Sequence, residues 1–475
     1  MKVLDRVNQH GVRNVVLEPV LAFLRAETAS GPLLLVAALV ALVWANSPAS
    51  EVYQRLWETE LTLGTGPLGV TEDLRHWVND GLMTLFFFLV GLEIKRELIT
   101  GELRDRRAAA LPVLAATGGV LLPVAIFLAV VDATPARAGW GVPMATDIAF
   151  AVGVLAALGN RVPCGARVFL LSIAIVDDLI AIAVIAIFYS GTVQAWWLAA
   201  AATGLVAVLI LRRLGVAETW PYLLVGLAVW YATRSSGVHA TIAGVALALL
   251  TPTSRYRGRE VLRMLERRLH PISAYLVVPV FALANAGVDL RGTMLADALA
   301  SRLAWGVAMG LFAGKLLGIT LVTLLAVRLR IGILPTGLTT RHVWGLAALA
   351  GIGFTVSLFI ADLAYQDQAL TDLAKIGVFA ASLAGGALGA TLLVLAGRNR
   401  GTTTHTEAPN GQDRPADGSD PAGSERGSQA ARTHRSRPRS EQVPRGLRHQ
   451  GAQERRAGRP PPRWRAATAR RAPPR

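Results

Sequence analysis

Along most of this chain the apolar residues fall in unbroken runs, not at the three-and-four spacing of a surface helix or the alternation of a half-buried strand. Twelve runs read as spans, at residues 31–46, 76–98, 108–131, 143–158, 166–189, 194–211, 220–233, 237–250, 272–287, 303–327, 342–364 and 373–397. A hydrocarbon layer of about 30 Å takes about 20 helical residues. The pattern therefore predicts an all-α polytopic membrane protein with twelve transmembrane helices. Two stretches depart from it. Val12, Val15, Val16, Val20, Phe23 and Leu24 are scattered among charges, which suits a short helix lying on the membrane surface. Thr59, Leu61 and Leu63 alternate with Glu60 and Thr62 just before the turn residues GTGPLG at 64–69, which predicts a β-hairpin over 58–72 outside the membrane. A lone hairpin is marginal in water and its edges lack partners, so a homodimer joined through it is expected.

The fifth span organises the rest. Its apolar run from Ser172 to Tyr189, SIAIVDDLIAIAVIAIFY, carries Asp177 and Asp178 side by side near its middle. One Asp at a helix centre costs about 2.5 to 3.5 kcal/mol in lipid, so the pair must face polar surroundings inside the protein. Successive helical residues point about 100° apart, and the two carboxylates therefore meet different partners. Intramembrane acids mark ion or proton pathways; a fixed ion pair with a neighbouring helix is the alternative.

Two other spans look interrupted. Pro143–Leu158, PMATDIAFAVGVLAAL, carries Thr146 and Asp147 near its start, and a helix of that length covers only about 24 Å. The polar pair is expected deep in the membrane, where extended backbone meets a half-helix. In GLAALAGIGFTVSLFIAD, Gly351 and Gly353 flank Ile352, with Thr355 and Ser357 just after. Such glycines mark either an unwound segment or close helix packing. These are the fourth and eleventh spans, matching places in two halves, and interruptions so placed point to a transporter site between inverted repeats. Lys315, in LFAGKLLGIT, lies near the middle of the tenth span. It is about twelve residues from either end, which favours the protein interior over snorkelling, and it is expected to pair with Asp177.

Composition narrows the class. The 475 residues are 53% hydrophobic and 17% charged, with a mean hydropathy of +0.44. The formal net charge of +16 is largely a property of the tail, because residues 398–475 hold 18 Arg against 7 acids. That tail is rich in Arg and Pro with almost no aliphatic residues, so it cannot bury a core and is expected to be disordered. Trp464 is its only aromatic residue, which argues against nucleic acid and leaves contact with anionic lipid. The single cysteine, Cys164, excludes an intrachain disulfide framework. Lys and Arg concentrate in loops on one side, among them Lys95, Arg96, Arg104, Arg106 and Arg107 and then Arg255 through Arg268. By the positive-inside rule both termini are cytoplasmic. The expected organisation is an N-terminal cytoplasmic or interfacial segment at 1–29, a membrane domain at 30–397 and the tail at 398–475.

Seven stretches then resemble a known family. NDGLMTLFFFLVGLEIKREL from Asn79, ATDIAFAVGVLAALGNRVP from Ala145, IVDDL from Ile175, SGVHATIAG from Ser236, FALANAGV from Phe281, FAGKLLG from Phe312 and GIGFTVS from Gly351 are similar, in order, to the NhaA-type sodium/proton antiporters of bacterial inner membranes. That family is itself among the examples behind the rule on inverted repeats. The resemblance covers about residues 20–397. It implies an electrogenic exchanger of Na+ or Li+ for H+, a secondary transporter and not an enzyme, that needs no cofactor and serves sodium and pH homeostasis. It implies that Asp178, with Asp177, binds the cation, that Asp177 exchanges protons and pairs with Lys315, and that Thr146 and Asp147 sit where the broken helices cross. Glu93, Lys95, Arg96, Glu97 and Glu266 match a cytoplasmic-funnel region linked to activation by pH, and His239 matches a histidine tied to pH response. From the residues alone, His239 reads equally as an ordinary interfacial side chain. Arg267 stands where some relatives have a histidine, and the tail has no recognised counterpart.

Three rival activities fit parts of the pattern. A sodium-coupled symporter would need room for an organic solute. An intramembrane aspartyl protease would place its acids on separate helices. A channel would favour rings of charge or carbonyls around a pore.

Overall fold

In the computed structural model of the chain, residues 31–64, 69–132, 134–216, 218–253 and 260–398 are described. The surface helix expected at 12–28, the tip of the hairpin loop, the first half of the Arg255–Arg268 cluster and the tail from Asn399 lie outside them.

Helix α1 (Gly31–Ala45) turns through 115° into α2 (Ser50–Trp57). Strands β1 (Glu60–Leu63) and β2 (Val70–Asp73) follow, antiparallel, with Glu60 opposite Asp73 and Leu63 opposite Val70. Asp73 caps the next helical turn by accepting from the His76 amide at 2.7 Å. A π-turn over Trp77–Leu82 then leads into α3 (Met83–Thr100), and α4 (Arg106–Val130) accommodates Pro112 and Pro123.

After a 3-10 segment at Ala136–Met144 the backbone is extended before α5 (Ile148–Ala157). The helical run thus begins farther from Pro143 than the sequence suggests, because Asp147 is the capping residue of α5 and stands outside it. Then come α6 (Cys164–Phe188), α7 (Ala195–Arg213), α8 (Thr219–Ser235), α9 (Thr241–Leu250) and α10 (Val261–Ile272). A π-turn at Ser273–Val277 precedes α11 (Val278–Asn285). Beyond the short α12 (Met294–Ala300), α13 (Arg302–Met309) passes through a π-turn at Gly310–Gly314 into α14 (Lys315–Arg328). The last elements are α15 (Thr340–Ala350), α16 (Phe354–Ala364) and α17 (Gln368–Arg398).

The architecture is that of a helical membrane protein with one small two-stranded sheet. Among the described residues six helical stretches, two of them (Ala136–Ala157 and Arg302–Arg328) composite, are long and apolar enough to cross a membrane, and eight if each of two bent pairs counts as one span. Length is what separates this number from the twelve runs in the sequence. Several runs are built from short helices joined by π-turns or breaks, and α9 has only 10 residues.

The apolar surface points outward at the periphery, as lipid would require. Trp196, Leu198, Val206 and Ile210 on α7 and Trp220, Leu223, Leu224 and Leu227 on α8 are exposed. Inside, α6 packs against α3, α4, α5 and α15. Small residues set its surroundings, since a Cβ on Gly118 of α4 would come within 2.6 Å of the Gly318 carbonyl of α14. This close approach, of the kind that small residues permit between membrane helices, holds the first turn of α14, and with it Lys315, against the core. A π-turn directly before a buried lysine is a placement often seen at functional positions.

Candidate functional site

Asp177 and Asp178 lie mid-way along α6 and are buried, at 0% and 5% exposure. Their 100° separation sends them to different neighbours. Asp177 Oδ2 is ion-paired with Lys315 Nζ and lies 2.8 Å from Thr146 Oγ1. That hydroxyl also lies 2.9 Å from the Ala350 carbonyl at the C-terminus of α15 and accepts from Lys315 Nζ at 3.0 Å. The lysine, itself 0% exposed, thus places its charge near a helix end that carries negative partial charge.

Asp178 turns the other way. It lines a cleft of about 70 Å³ together with Glu93, Thr146, Asp147, His270, Ser273 and Thr355. Its Oδ1 has no hydrogen-bond partner, and neither has Asp177 Oδ1. Buried carboxylate oxygens are costly to leave unmatched, and Asp178 adjoins a space large enough for several waters or a partly hydrated ion.

Asp147 joins two helix starts. Its Oδ1 accepts from the Phe150 amide at 3.1 Å, capping α5. Its Oδ2 accepts from the Thr355 amide at 2.9 Å, in the first turn of α16, and from the Thr355 hydroxyl. One carboxylate therefore answers the positive ends of both helices. The extended segment that carries it is tied across, with the Asp147 amide donating to the Ile352 carbonyl at 2.6 Å. Gly351 and Gly353 allow this contact. Neither has a positive φ, with values of −72° and −97°. Close approach is what excludes a side chain, since a Cβ on Gly351 would stand 2.8 Å from the Leu311 carbonyl and one on Gly353 3.1 Å from the Ala145 carbonyl.

The funnel residues divide. Glu93 reaches the cleft. Arg96 and Glu266 form an ion pair beside it; burial pushes the Glu266 carboxyl above the ordinary range, partly opposed by the Arg96 charge. Lys95 instead donates to the Leu249 and Thr251 carbonyls at the end of α9, and Glu97 Oε1 accepts from the Glu102 amide at 2.8 Å. His239 belongs to a separate cleft with Asp80 and Arg234, its Nε2 2.5 Å from the Tyr189 carbonyl. The sequence assigns no role to the cleft positions His270 and Ser273 or to Thr355, the direct partner of Asp147. Thr355 was visible as a polar residue beside a glycine break; nothing local marked the other two.

The family described as Na+/H+ antiporter 1 matches residues 21–393. A protein of Shewanella loihica named Na(+)/H(+) antiporter NhaA is 46% identical over 370 residues, covering 77% of this chain and 94% of that protein. Na(+)/H(+) antiporter NhaA 3 of Frankia alni is 46% identical over 407 residues, with 79% and 88% covered. A Bordetella parapertussis protein named Na(+)/H(+) antiporter NhaA is 47% identical over 379 residues, with 78% and 95% covered.

Proposed function

The chain belongs to the Na+/H+ antiporter 1 family, and from that premise we propose that it exchanges sodium for protons across a membrane, with Asp178 as the central cation ligand. The observation that carries this reading is the division between the two acids: Asp177 is neutralised by Lys315, whereas Asp178 faces the cleft with an oxygen free. Sodium and lithium are hard cations that take oxygen ligands, and Asp178, Asp147 and the Thr146 hydroxyl offer them. Protons compete for the same oxygens. The ion enters when the carboxylates are ionised and leaves when protons return. With two protons taken per cycle the exchange is electrogenic.

Alternating access follows from two elements that cross, the interrupted stretch before α5 and the α15–α16 pair, which bends by 42°. We read these as discontinuous helices of inverted repeats near the membrane midplane, within twelve spans at 30–397, between a segment at 1–29 and a tail at 398–475. Both termini are cytoplasmic and the membrane is the bacterial inner membrane. The β1–β2 hairpin joins a homodimer. The cleft volume favours an ion over an organic solute, since sites for small molecules usually enclose about 300 to 1,000 Å³. Adjacent acids on one helix also do not suit a protease dyad.

The test is dissipation of a pH gradient in proteoliposomes on adding sodium, lithium or potassium, for wild type and Asp178→Asn. Proton release by sodium or lithium in wild type alone supports the site. No release at any pH from about 6.5 to 9 rejects the reading in favour of a sodium-coupled symporter, whose sign is sodium-dependent solute uptake.

A further inference from the structure

A second buried charge cluster lies at the hairpin end, away from the Glu93 cleft. Asn79, in the π-turn that follows β2, donates from Nδ2 to Asp362 Oδ2 at 2.5 Å. Its Oδ1 accepts from Asn285 Nδ2 at 2.8 Å, at the end of α11. Lys375 of α17, 2% exposed, lies within electrostatic reach of Asp362, Asp372 and Arg75. Asp372 is held by Gln368 Nε2 at 3.0 Å. Among the described residues Lys375 makes no ion pair within 4.0 Å.

Asp362 is placed against the preference of its own helix. It is the third residue from the C-terminus of α16, where the helix dipole disfavours a negative charge. The Asn79 amide and the Lys375 charge compensate it from other elements. A carboxylate so placed holds only while those elements stay together.

The same helix carries Thr355, the partner of Asp147, in its first turn. Thr355 and Asp362 are seven residues apart, two turns, so they share one face and lie about 10 Å apart along the axis. Between them Phe359 meets Phe87 at 5.4 Å and Phe281 at 6.3 Å between ring centroids. Phe281 is one turn inward from Asn285, as Phe359 is from Asp362. Along α16 this aromatic contact lies between Thr355 and Asp362. A short helix thus links an ion-competing carboxylate at one end to a polar clasp at the other, with the aromatic contact in between.

We propose that Asp362, Asn79, Lys375 and Asp372 form a latch that keeps the hairpin end of the path shut while Asp178 faces the Glu93 cleft, and that parts when the hairpin end opens. This rests on the exchange reading above. The residues are positioning residues: they act on α16 and do not touch the cation. When Asp147 exchanges Thr355 for an ion or a proton, α16 is freed at its first turn, and the latch decides whether it moves.

The test uses the full-length protein in vesicles with Cys164→Ser, which removes the single native thiol, and Ala282→Cys as reporter next to Phe281, a position 0% exposed. A separate Thr62→Cys reporter in the hairpin identifies which vesicles expose that face. An impermeant maleimide is added to each face in turn. Asp362→Asn and Lys375→Met should each raise labelling from the hairpin face at least about fivefold and leave labelling from the other face unchanged. The double variant should return toward wild type. Half-saturating sodium on the Glu93 side should rise as the fraction of protein open to that side falls, about two- to tenfold. A loosened fold would raise labelling from both faces alike, and that result overturns the latch, as does unchanged labelling in both single variants. Should Asp362→Asn fail to fold, Asp362→Glu and Asn79→Gln take its place: a rise from the hairpin face alone supports the latch, and an unchanged or two-sided response overturns it. Labelling needs no transport, so a wild type without sodium-driven proton release rejects the exchange reading while the labelling result still decides the latch.

Discussion

Two buried lysines organise two regions of this molecule in different ways. Lys315 is locked: its ammonium is ion-paired with Asp177 and hydrogen-bonded to Thr146 beside a helix C-terminus. Lys375 stands within electrostatic reach of Asp362 and Asp372 without an ion pair to either. A charge held by direct contacts changes state by exchanging a proton or a ligand, which is what a binding centre needs. A charge balanced at longer range tolerates displacement of its surroundings, which is what a moving closure needs. The contrast teaches that equal burial and equal chemistry do not imply equal roles, because contact geometry sets how much movement each charge permits.

The largest effect should come from the acid that Lys315 does not neutralise. Asp178→Asn should reduce sodium-driven proton release to background while the purified protein stays folded, and normal exchange by this variant would remove the central premise. Next is the direct comparison of the lysines. Lys315→Ala leaves the Asp177 charge buried and unpaired and should lower stability by about 3 to 5 kcal/mol. The denaturation midpoint in detergent measures this, and adding Asp177→Asn should recover part of the loss. Lys375→Met should cost less, about 1 to 3 kcal/mol, the range for unsatisfied buried groups. Equal losses would erase the distinction between the two lysines.

A smaller effect is expected from Thr355→Val, which removes one of two donors to Asp147 Oδ2 and keeps the backbone amide. Half-saturating sodium should change by roughly fivefold, about 1 kcal/mol, with little change in the denaturation midpoint. The smallest lies at the rim of the cleft. Because burial holds Glu266 above the ordinary carboxylate range, its contribution to stability is complete below the unfolded value of about 4.3 and is lost as pH rises through the raised native value. Glu266→Gln should flatten that part of the stability profile, read as denaturation midpoint against pH; an unchanged slope would place the titration elsewhere.

Much of this site was legible in the residues, and for identifiable reasons. The opposite outlooks of Asp177 and Asp178 follow from the helical 100° alone. The Lys315 pairing follows from the cost of an unmatched charge in a span. Thr355 shows where such reasoning stops. Thr117, Thr203, Thr233 and Thr391 all donate to the carbonyl four residues back in their own helices, the usual arrangement for a helical threonine. Thr355 instead reaches Asp147, 208 positions away, and no local pattern distinguishes the two cases.

The sequence by itself determined the membrane class, the hairpin and the buried charges at Asp147, Asp177, Asp178 and Lys315, though not those at Asp372 and Lys375, because run length, alternation and desolvation cost are local properties of the chain. Only the tertiary structure decided which charges meet. The clasp of Asn79 on Asp362 spans 283 positions, and that of Asp147 on Thr355 brings together the starts of two helices. Such contacts depend on how helices cross and on which glycines let backbones touch, and these are settled by packing the whole bundle at once.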